Sequence, residues 1–448
     1  MTLKTTERHD RAPLDREDGA RTGVEGQRSP TRRAVERLGM LRPLAIRDFA
    51  LLWAGMTVSL FGDGIFLVAI AWQVYELSNV PTALSVVGVA WTVPMVILLV
   101  FGGVVADRFE RRRVMIVSDV VRFAAIGAVG VLALAGELTL PILLGLVAVY
   151  GAGEALFAPA FGALVPDIVP GDLLVQANSI DMFVRTLASR LAGPALGGLL
   201  IAGVGTGGAF LIDAGTFAVS AACLFGLSAR PVPKRDESTS AFADIRDGFR
   251  FVRSRTWLWG TLLASAVSLF AYYGPWEVLV PYIVKNTLEG DAGDLGLVFG
   301  AGGLGAVLAA VVMGSRRIPR RHMTFIYVAW AIEVGIMVIY GVATELWHAM
   351  AAAFVAGSAS TAGMVVWATL MQQRVPRHLL GRVTSLDWTI SIGLIPVSLA
   401  VTGPLADAIG VRATLVGAGV LAAVFTIAFL FLPGMRDAER EETVEGLA

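Results

Sequence analysis

The chain alternates long apolar runs with short polar ones, and the runs have the length of a bilayer crossing. About 20 apolar residues at ~1.5 Å per residue span a hydrocarbon layer of ~30 Å. Such segments fall near residues 48-75, 82-106, 114-136, 140-165, 178-203 and 207-228, then 257-284, 293-314, 323-342, 346-371, 384-407 and 411-432. The pattern predicts an all-α membrane protein of twelve transmembrane helices joined by short turns. One long internal connection, Ala229 to Thr256, carries Arg230, Lys234, Arg235, Arg246, Arg250, Arg253 and Arg255. The expected organisation is a disordered polar tail (1-43), a six-helix half (44-228), a linker (229-256), a second six-helix half (257-432) and a short polar tail (433-448).

Composition narrows the class. The 448 residues are 56% hydrophobic and 16% charged, with a mean hydropathy of +0.70, a balance no soluble core can hide. The formal net charge is zero, which suggests no nucleic-acid partner. Cys223 is the single cysteine and lies inside an apolar run, which excludes an intrachain disulfide framework. The polar start lacks the apolar stretch of a secretory signal.

Loop charge sets the expected orientation, because Lys and Arg flanking spans are retained on the cytoplasmic side. Arg108, Arg111, Arg112 and Arg113 follow the second span; Arg316, Arg317, Arg320 and Arg321 follow the eighth; Arg374, Arg377 and Arg382 follow the tenth. The opposite loops, near Asn79, Gly136, Gly205, Asn286, Thr344 and Gly410, hold only Lys285 and Arg412 as cations. Both termini are therefore expected in the cytoplasm, in a multi-pass inner (plasma) membrane protein.

The halves also repeat, at an offset of about 206 residues. VPGDLLVQANSID (Val169 to Asp181) aligns with VPRHLLGRVTSLD (Val375 to Asp387), and Ser-Leu-Phe recurs at Ser59 and Ser268. A parallel duplication of six helices places a binding site near the midplane between the halves and lets one rock against the other.

Across about Leu44 to Leu432 these features resemble the major facilitator superfamily. The segment GGVVADRFERRRVMIVSD looks like its signature loop, with Gly103, Asp107, Arg108, Arg111 and Arg113 at the pattern positions and Glu110 where glycine is usual. Gly193-Pro194-Ala195-Leu196-Gly197-Gly198 resembles the core of the antiporter motif, with Ser189 at a position where glycine is usual. With Gly62-Asp63 and Phe157-Ala158-Pro159-Ala160, the chain is similar to the drug:proton antiporter-3 branch of enterobactin exporters and macrolide efflux proteins. The resemblance implies secondary, proton-coupled efflux of small lipophilic or amphipathic compounds by alternating access. The expected partners are a small-molecule substrate, protons and the lipid bilayer, with the chain a monomer.

Residue chemistry supplies candidates. An aspartate and arginines in one loop can clamp the two halves by charge-assisted bonds, which assigns Asp107, Arg108, Arg111 and Arg112 to a gate, with Asp119 and Arg122 one turn apart extending it. In the second copy Ser315 stands in place of the aspartate, so gating attaches to the first half. Gly193, Gly197 and Gly198 allow close helix approach, and Pro194 permits a bend.

Ionisable groups within spans are functional hypotheses by default. Glu154 and Arg190 each lie ~18 Å from the turn between the fourth and fifth spans, so they could pair as a coupling site. Asp63, flanked by glycines, ranks with Glu154 as a proton carrier. Asp213 reads as structural, because the sixth helix is peripheral in the resembled fold, and Glu333 is deep without a nameable partner. Trp91 lies within a span; Tyr272, Tyr273, Pro275, Glu277 and Pro281 mark a broken helix of the kind that borders binding sites.

Only Lys4, Lys234 and Lys285 occur, none in a phosphate-binding GxxxxGK[ST], which excludes ATP-driven transport by this chain. No cofactor, metal or catalytic constellation is evident, so a membrane-embedded enzyme or receptor is disfavoured. Proton-symport uptake of a polar solute is the alternative within transport, and the scarcity of Asn, Gln and Lys in the spans tips the reading toward efflux.

Overall fold

The computed structural model describes residues 39–228, 241–316 and 319–439; the side chains of 100–108 and of a few other positions lie outside the described residues. In chain order the helices are α1 (Arg47–Leu77), α2 (Pro81–Arg108), α3 (Arg111–Ala135), α4 (Leu140–Ile168), α5 (Leu174–Arg185), α6 (Gly193–Phe225), α7 (Ala241–Ser254) and α8 (Thr256–Gly274). They continue as α9 (Val280–Asn286), α10 (Ala292–Ser315), α11 (His322–Gly335), α12 (Met337–Val342), α13 (Leu346–Arg374), α14 (Arg377–Gly393), α15 (Ile395–Ile409) and α16 (Val411–Phe429). Among the described residues there is no strand.

The long helices are apolar on all sides, as a lipid solvent allows. Leu199 and Leu421 are 68% and 72% exposed on the outer surface, which would be an aggregation hazard in water and is favourable in hydrocarbon. Among the described residues, eleven helical segments are long and apolar enough to cross a membrane. One of them, 176–225, has 50 residues, ~75 Å of helix, twice the length one crossing needs. Gly205 breaks it with φ 73° and ψ 173°, a conformation that only glycine adopts without strain, and the chain reverses there.

Several irregularities interrupt the long helices. Thr186–Ala192 is a π-turn between α5 and α6, ending at Gly193-Pro194. Pro275–Leu279 is a π-turn between α8 and α9, where Pro275 and Pro281 each remove a backbone donor; in place of the break expected at Tyr272 to Pro281, the helical path continues from 256 to 286 through this turn. Ile336 separates α11 from α12. The connection expected as a linker contains α7, whose buried positions Gly248 and Val252 lie toward α14 and α8 while Arg246, Phe249 and Arg253 are exposed.

The halves meet along two seams. α6 crosses α10 on glycines: a Cβ on Gly198 would sit 2.6 Å from the Ala292 carbonyl and 2.9 Å from the Gly293 Cα, and one on Gly303 would strike the Arg190 carbonyl. α2 meets α15, where a Cβ on Gly403 would lie 2.6 Å from the Thr82 Cα. Small residues here let backbones touch, the usual basis of helix association in lipid. Described side-chain hydrogen bonds between the halves cluster at the ends near residues 75–82, 278–286 and 407, on the face poor in arginine.

Candidate functional site

Inside the first half, α1, α3, α4 and α6 converge on a group of ionisable residues that no soluble-protein core would hold. Arg122 is the cation buried within the group, and Arg185 also lies within electrostatic reach of Asp63. Its guanidinium donates to Asp119 at 2.5 Å, and both side chains are essentially excluded from solvent. It lies between two rings, 4.6 Å from the centre of Phe157 and 4.4 Å from that of Phe217. The α3 pair is set by i,i+3 spacing on one helix face, and Gly153 on α4 leaves the room that the Arg122 side chain fills.

Three more carboxyls surround it. Asp63 on α1 accepts a long bond, 3.4 Å, from the Tyr150 hydroxyl, and has Arg122 within electrostatic reach. Glu154, one turn beyond Tyr150 on α4, accepts from the Trp91 indole at 2.8 Å and shares the reach of Asp63 and Arg122. Asp213 on α6 is fully buried, bonded to Thr216 and pressed against Gly62, beside Asp63. Gly62 is therefore the neighbour that makes space for the Asp213 carboxyl. Phe66, Trp91 and Phe217 pack around Tyr150 at 4.7, 5.9 and 6.1 Å between ring centres.

The group contains four acids and one permanent cation, so its total charge is set by how many protons it holds. Asp119, Asp213 and Arg122 are fully buried, whereas Asp63 and Glu154 are half-buried. Asp119 has Ser220 beside Arg122 as a hydrogen-bonding neighbour, whereas one oxygen of Asp213 and Nε of Arg122 lack a hydrogen-bond partner among the described residues. Orphaned buried groups of this kind each cost about 1–3 kcal/mol.

Across from this cluster, the π-turn after α8 presents Glu277. It is half-buried, and the Tyr273 phenol has Glu277, Glu154 and Arg190 within electrostatic reach. Tyr272 stacks on Trp276 at 6.0 Å, and Trp276 packs on Phe299 and Tyr340 at 5.4 and 5.7 Å. Aromatic rings thus accompany the half-buried acids of both halves, Trp91 and Tyr150 with Glu154 in the first, Tyr272, Tyr273 and Trp276 with Glu277 in the second.

Several expectations change. Glu154 and Arg190 do not pair: Glu154 is held by Trp91, and Arg190, in the π-turn of the fifth span, has Glu333 as its acidic neighbour, with Ser360 bonded to Glu333. Their depths match but their helix faces differ. Asp119 and Arg122 pair as the spacing implies, yet they belong to the buried cluster rather than to a cytoplasmic gate. Asp213, set aside as structural, sits in the same cluster. Tyr150 was missed, although its i,i+4 spacing to Glu154 placed it on the same face.

The arginines after α2 bond within their own half. Arg111 bonds Asp167 and the Ala163 carbonyl of α4; Arg112 donates to the carbonyls of Leu224 and Phe225 at 2.8 Å; and Arg113 pairs with Glu110 at 2.5 Å. Arg112 thereby neutralises the C-terminal end of α6. None of these bonds clamps one half to the other. The side chains of Asp107 and Arg108, and the surroundings of Gly103, lie outside the described residues. The antiporter-motif glycines do allow close approach. Gly193 and Gly197 face α1, with a Cβ on Gly193 2.8 Å from the Gly64 Cα and one on Gly197 3.0 Å from the Ile65 Cα; Gly198 faces α10, and Pro194 touches Gly64.

Known proteins agree with this architecture. The chain is 29% identical over 408 residues to the multidrug efflux pump Tap of Mycolicibacterium fortuitum, covering 89% of this chain and 97% of that one. It is 23% identical to macrolide efflux protein A of Streptococcus pyogenes, covering 81% and 90%. Among solved structures, a bacterial homologue of the human lysosomal transporter Spinster superposes with a TM-score of 0.64 at 14% identity over 92% of this chain and 98% of that one. The nucleoside transporter NupG gives 0.65 at 12% over 86% and 98%. The superpositions show the fold that this chain shares with those structures. The pattern described as transmembrane secretion effector matches residues 38–445, and the chain therefore belongs to that family of major facilitator transporters, as a multi-pass plasma-membrane protein.

Proposed function

We propose that the protein is a proton-driven exporter of small lipophilic or amphipathic compounds, working as a monomer by alternating access. The observation that carries this reading is the acid cluster around Arg122, with half-buried Asp63 and Glu154 in front of buried Asp119 and Asp213. Asp63 accepts only a long bond from Tyr150, and both Asp63 and Glu154 are half-buried, so they can exchange protons where fully buried Asp119 and Asp213 cannot. A group that takes and gives protons during a cycle needs carboxyls whose partners are incomplete in one state.

Twelve crossings follow when the 50-residue helical segment is counted twice at Gly205, and an even number returns both termini to one side. The arginine-rich loops assign that side to the cytoplasm. The bonds between the halves near residues 75–82 and 278–286 then seal the outer end, and the space between Glu154 and Glu277 communicates with the cytoplasm. In this state protons leave Asp63 and Glu154 inward, and a substrate enters against Trp91, Tyr272, Tyr273 and Trp276. Rocking about the glycine seams turns the site outward, where protonation of the acids accompanies substrate release.

The apolar and aromatic surroundings favour lipophilic cargo over sugars or acids. The efflux activity named for Tap and for macrolide efflux protein A supports export over uptake. The test is dye retention in cells expressing the chain or its Asp63→Asn and Glu154→Gln variants, with and without a protonophore. Export by the parent chain is expected to stop with protonophore and with either substitution. Undiminished export by both variants would refute the proton role of these acids.

A further inference from the structure

The face opposite the arginine loops carries a second set of contacts that the acid cluster does not explain. At the ends of α1 and α9, residues related by the internal repeat meet each other. Asn79 and Asn286, 207 positions apart, form a reciprocal amide pair, with Asn79 Nδ2 donating to Asn286 Oδ1 at 2.6 Å and Asn286 Nδ2 donating back at 3.2 Å. One turn deeper, Tyr75 and Tyr282, also 207 apart, pack edge to face at 5.6 Å. Residues that are equivalent in the two copies and touch one another must lie on the pseudo-twofold axis, where the rocking motion has to separate the halves.

Two asymmetric bonds flank this axial pair. The Tyr75 hydroxyl, buried, donates to the Val278 carbonyl at 2.6 Å, within the π-turn that also carries Glu277. Lys285 donates from Nζ to the Tyr75 carbonyl at 2.7 Å and lies 5.2 Å from the centre of the Trp72 ring. An ammonium on a carbonyl of the last turn of α1 also suits the negative end of that helix. At the rim Thr82 of α2 bonds Asp407 of α15. Every one of these bonds joins the first half to the second.

We infer that Tyr75, Asn79, Lys285 and Asn286 are the outer gate of the transporter, an axial clasp whose opening is required for each cycle. The clasp is built from neutral amides, a phenol and one cation on a carbonyl, with Glu76 of the first half within electrostatic reach of Lys285. The Tyr75 bond to Val278 ties the gate to the turn bearing Glu277, so a shift of that turn on loading the cavity acts directly on the clasp. This rests on the alternating-access reading and adds residues that reading does not name.

Two arms test it on the full-length chain in a Cys223→Ser background. In the first, Asn79→Cys with Asn286→Cys is joined by a short bis-methanethiosulfonate linker in proteoliposomes. Transport is expected to stop on linking and return with reductant, while either single cysteine is unaffected by the reagent. In the second, spin labels on Glu137→Cys and Thr344→Cys, exposed in outer loops of the two halves, report the outer distance with no need of substrate or proton gradient. Asn286→Ala and Lys285→Met are each expected to raise the ratio of open to closed populations about tenfold. Continued transport by the linked protein, or an unchanged distance distribution in both variants, would overturn the gate assignment. A failure of proton coupling alone would leave the distance result intact.

Discussion

Arg122→Met isolates the feature on which the cluster depends. The substitution keeps most of the side-chain volume between Phe157 and Phe217 and removes the buried cation. Asp119 is left with no exposure to solvent and no ionic partner, and removing one member of a buried pair costs about 3–5 kcal/mol. The two ring contacts at 4.4 and 4.6 Å add about 0.5–2 kcal/mol each to what is lost. Asp119→Leu should cost a similar amount, because it leaves the guanidinium stranded. The double variant is expected within about 1–2 kcal/mol of the parent, since a buried ion pair replaced as a whole by apolar groups is near neutral. The assay is reversible unfolding in mixed micelles titrated with dodecyl sulfate, run as a double-mutant cycle. A coupling energy of about 4–9 kcal/mol is expected, the two single costs less that of the double variant. Additive costs for the two single variants would refute the claim that the pair carries the cluster.

Other expectations follow from single contacts. Gly303→Ala places a methyl against the Arg190 carbonyl backbone, which cannot retreat as a side chain end could; it should cost about 1–3 kcal/mol and slow transport, read by unfolding and initial efflux rates. Trp91→Phe keeps the aromatic packing but removes the donor to Glu154, a bond to a charged-type acceptor worth about 1.5–3 kcal/mol, so transport should fall about tenfold or more while folding is retained. The Arg111 and Asp167 pair is partly exposed, at 17% and 32%, and its double-mutant coupling should stay below about 1 kcal/mol.

Much of the architecture was legible in the chain because lipid imposes strong rules. Spans must be long and apolar, so their limits were read to within a few residues, and Gly205 fell in one of the loops identified by its lack of cations. The irregularity between Tyr272 and Pro281 was legible for the same covalent reason that produces it, two missing backbone donors, although it is a π-turn in a continuous helical path and not a break. Depth along a helix follows from rise per residue, so Asp63 and Glu154 read as buried charges, whereas Asp119 and Arg122 read as an extension of the loop gate. The helix face each occupies could not be computed. Rise per residue put Glu154 and Arg190 at one level, but the rotation of each span about its axis decides contact, and packing sets that rotation. The π-turn at Thr186–Ala192 turns Arg190 toward the second half, leaving Trp91 to hold Glu154. Asp213 was discounted by its helix being peripheral, whereas the space made by Gly62 opposite it settles the matter.

The most direct test of proton-driven export uses everted membrane vesicles with an imposed pH gradient, reported by a fluorescent weak base. Adding a lipophilic substrate to vesicles with the parent chain should dissipate the gradient, and Asp63→Asn or Glu154→Gln should abolish that response while substrate binding persists. Substrate accumulation that leaves the gradient untouched, or a response unchanged in both variants, would contradict it.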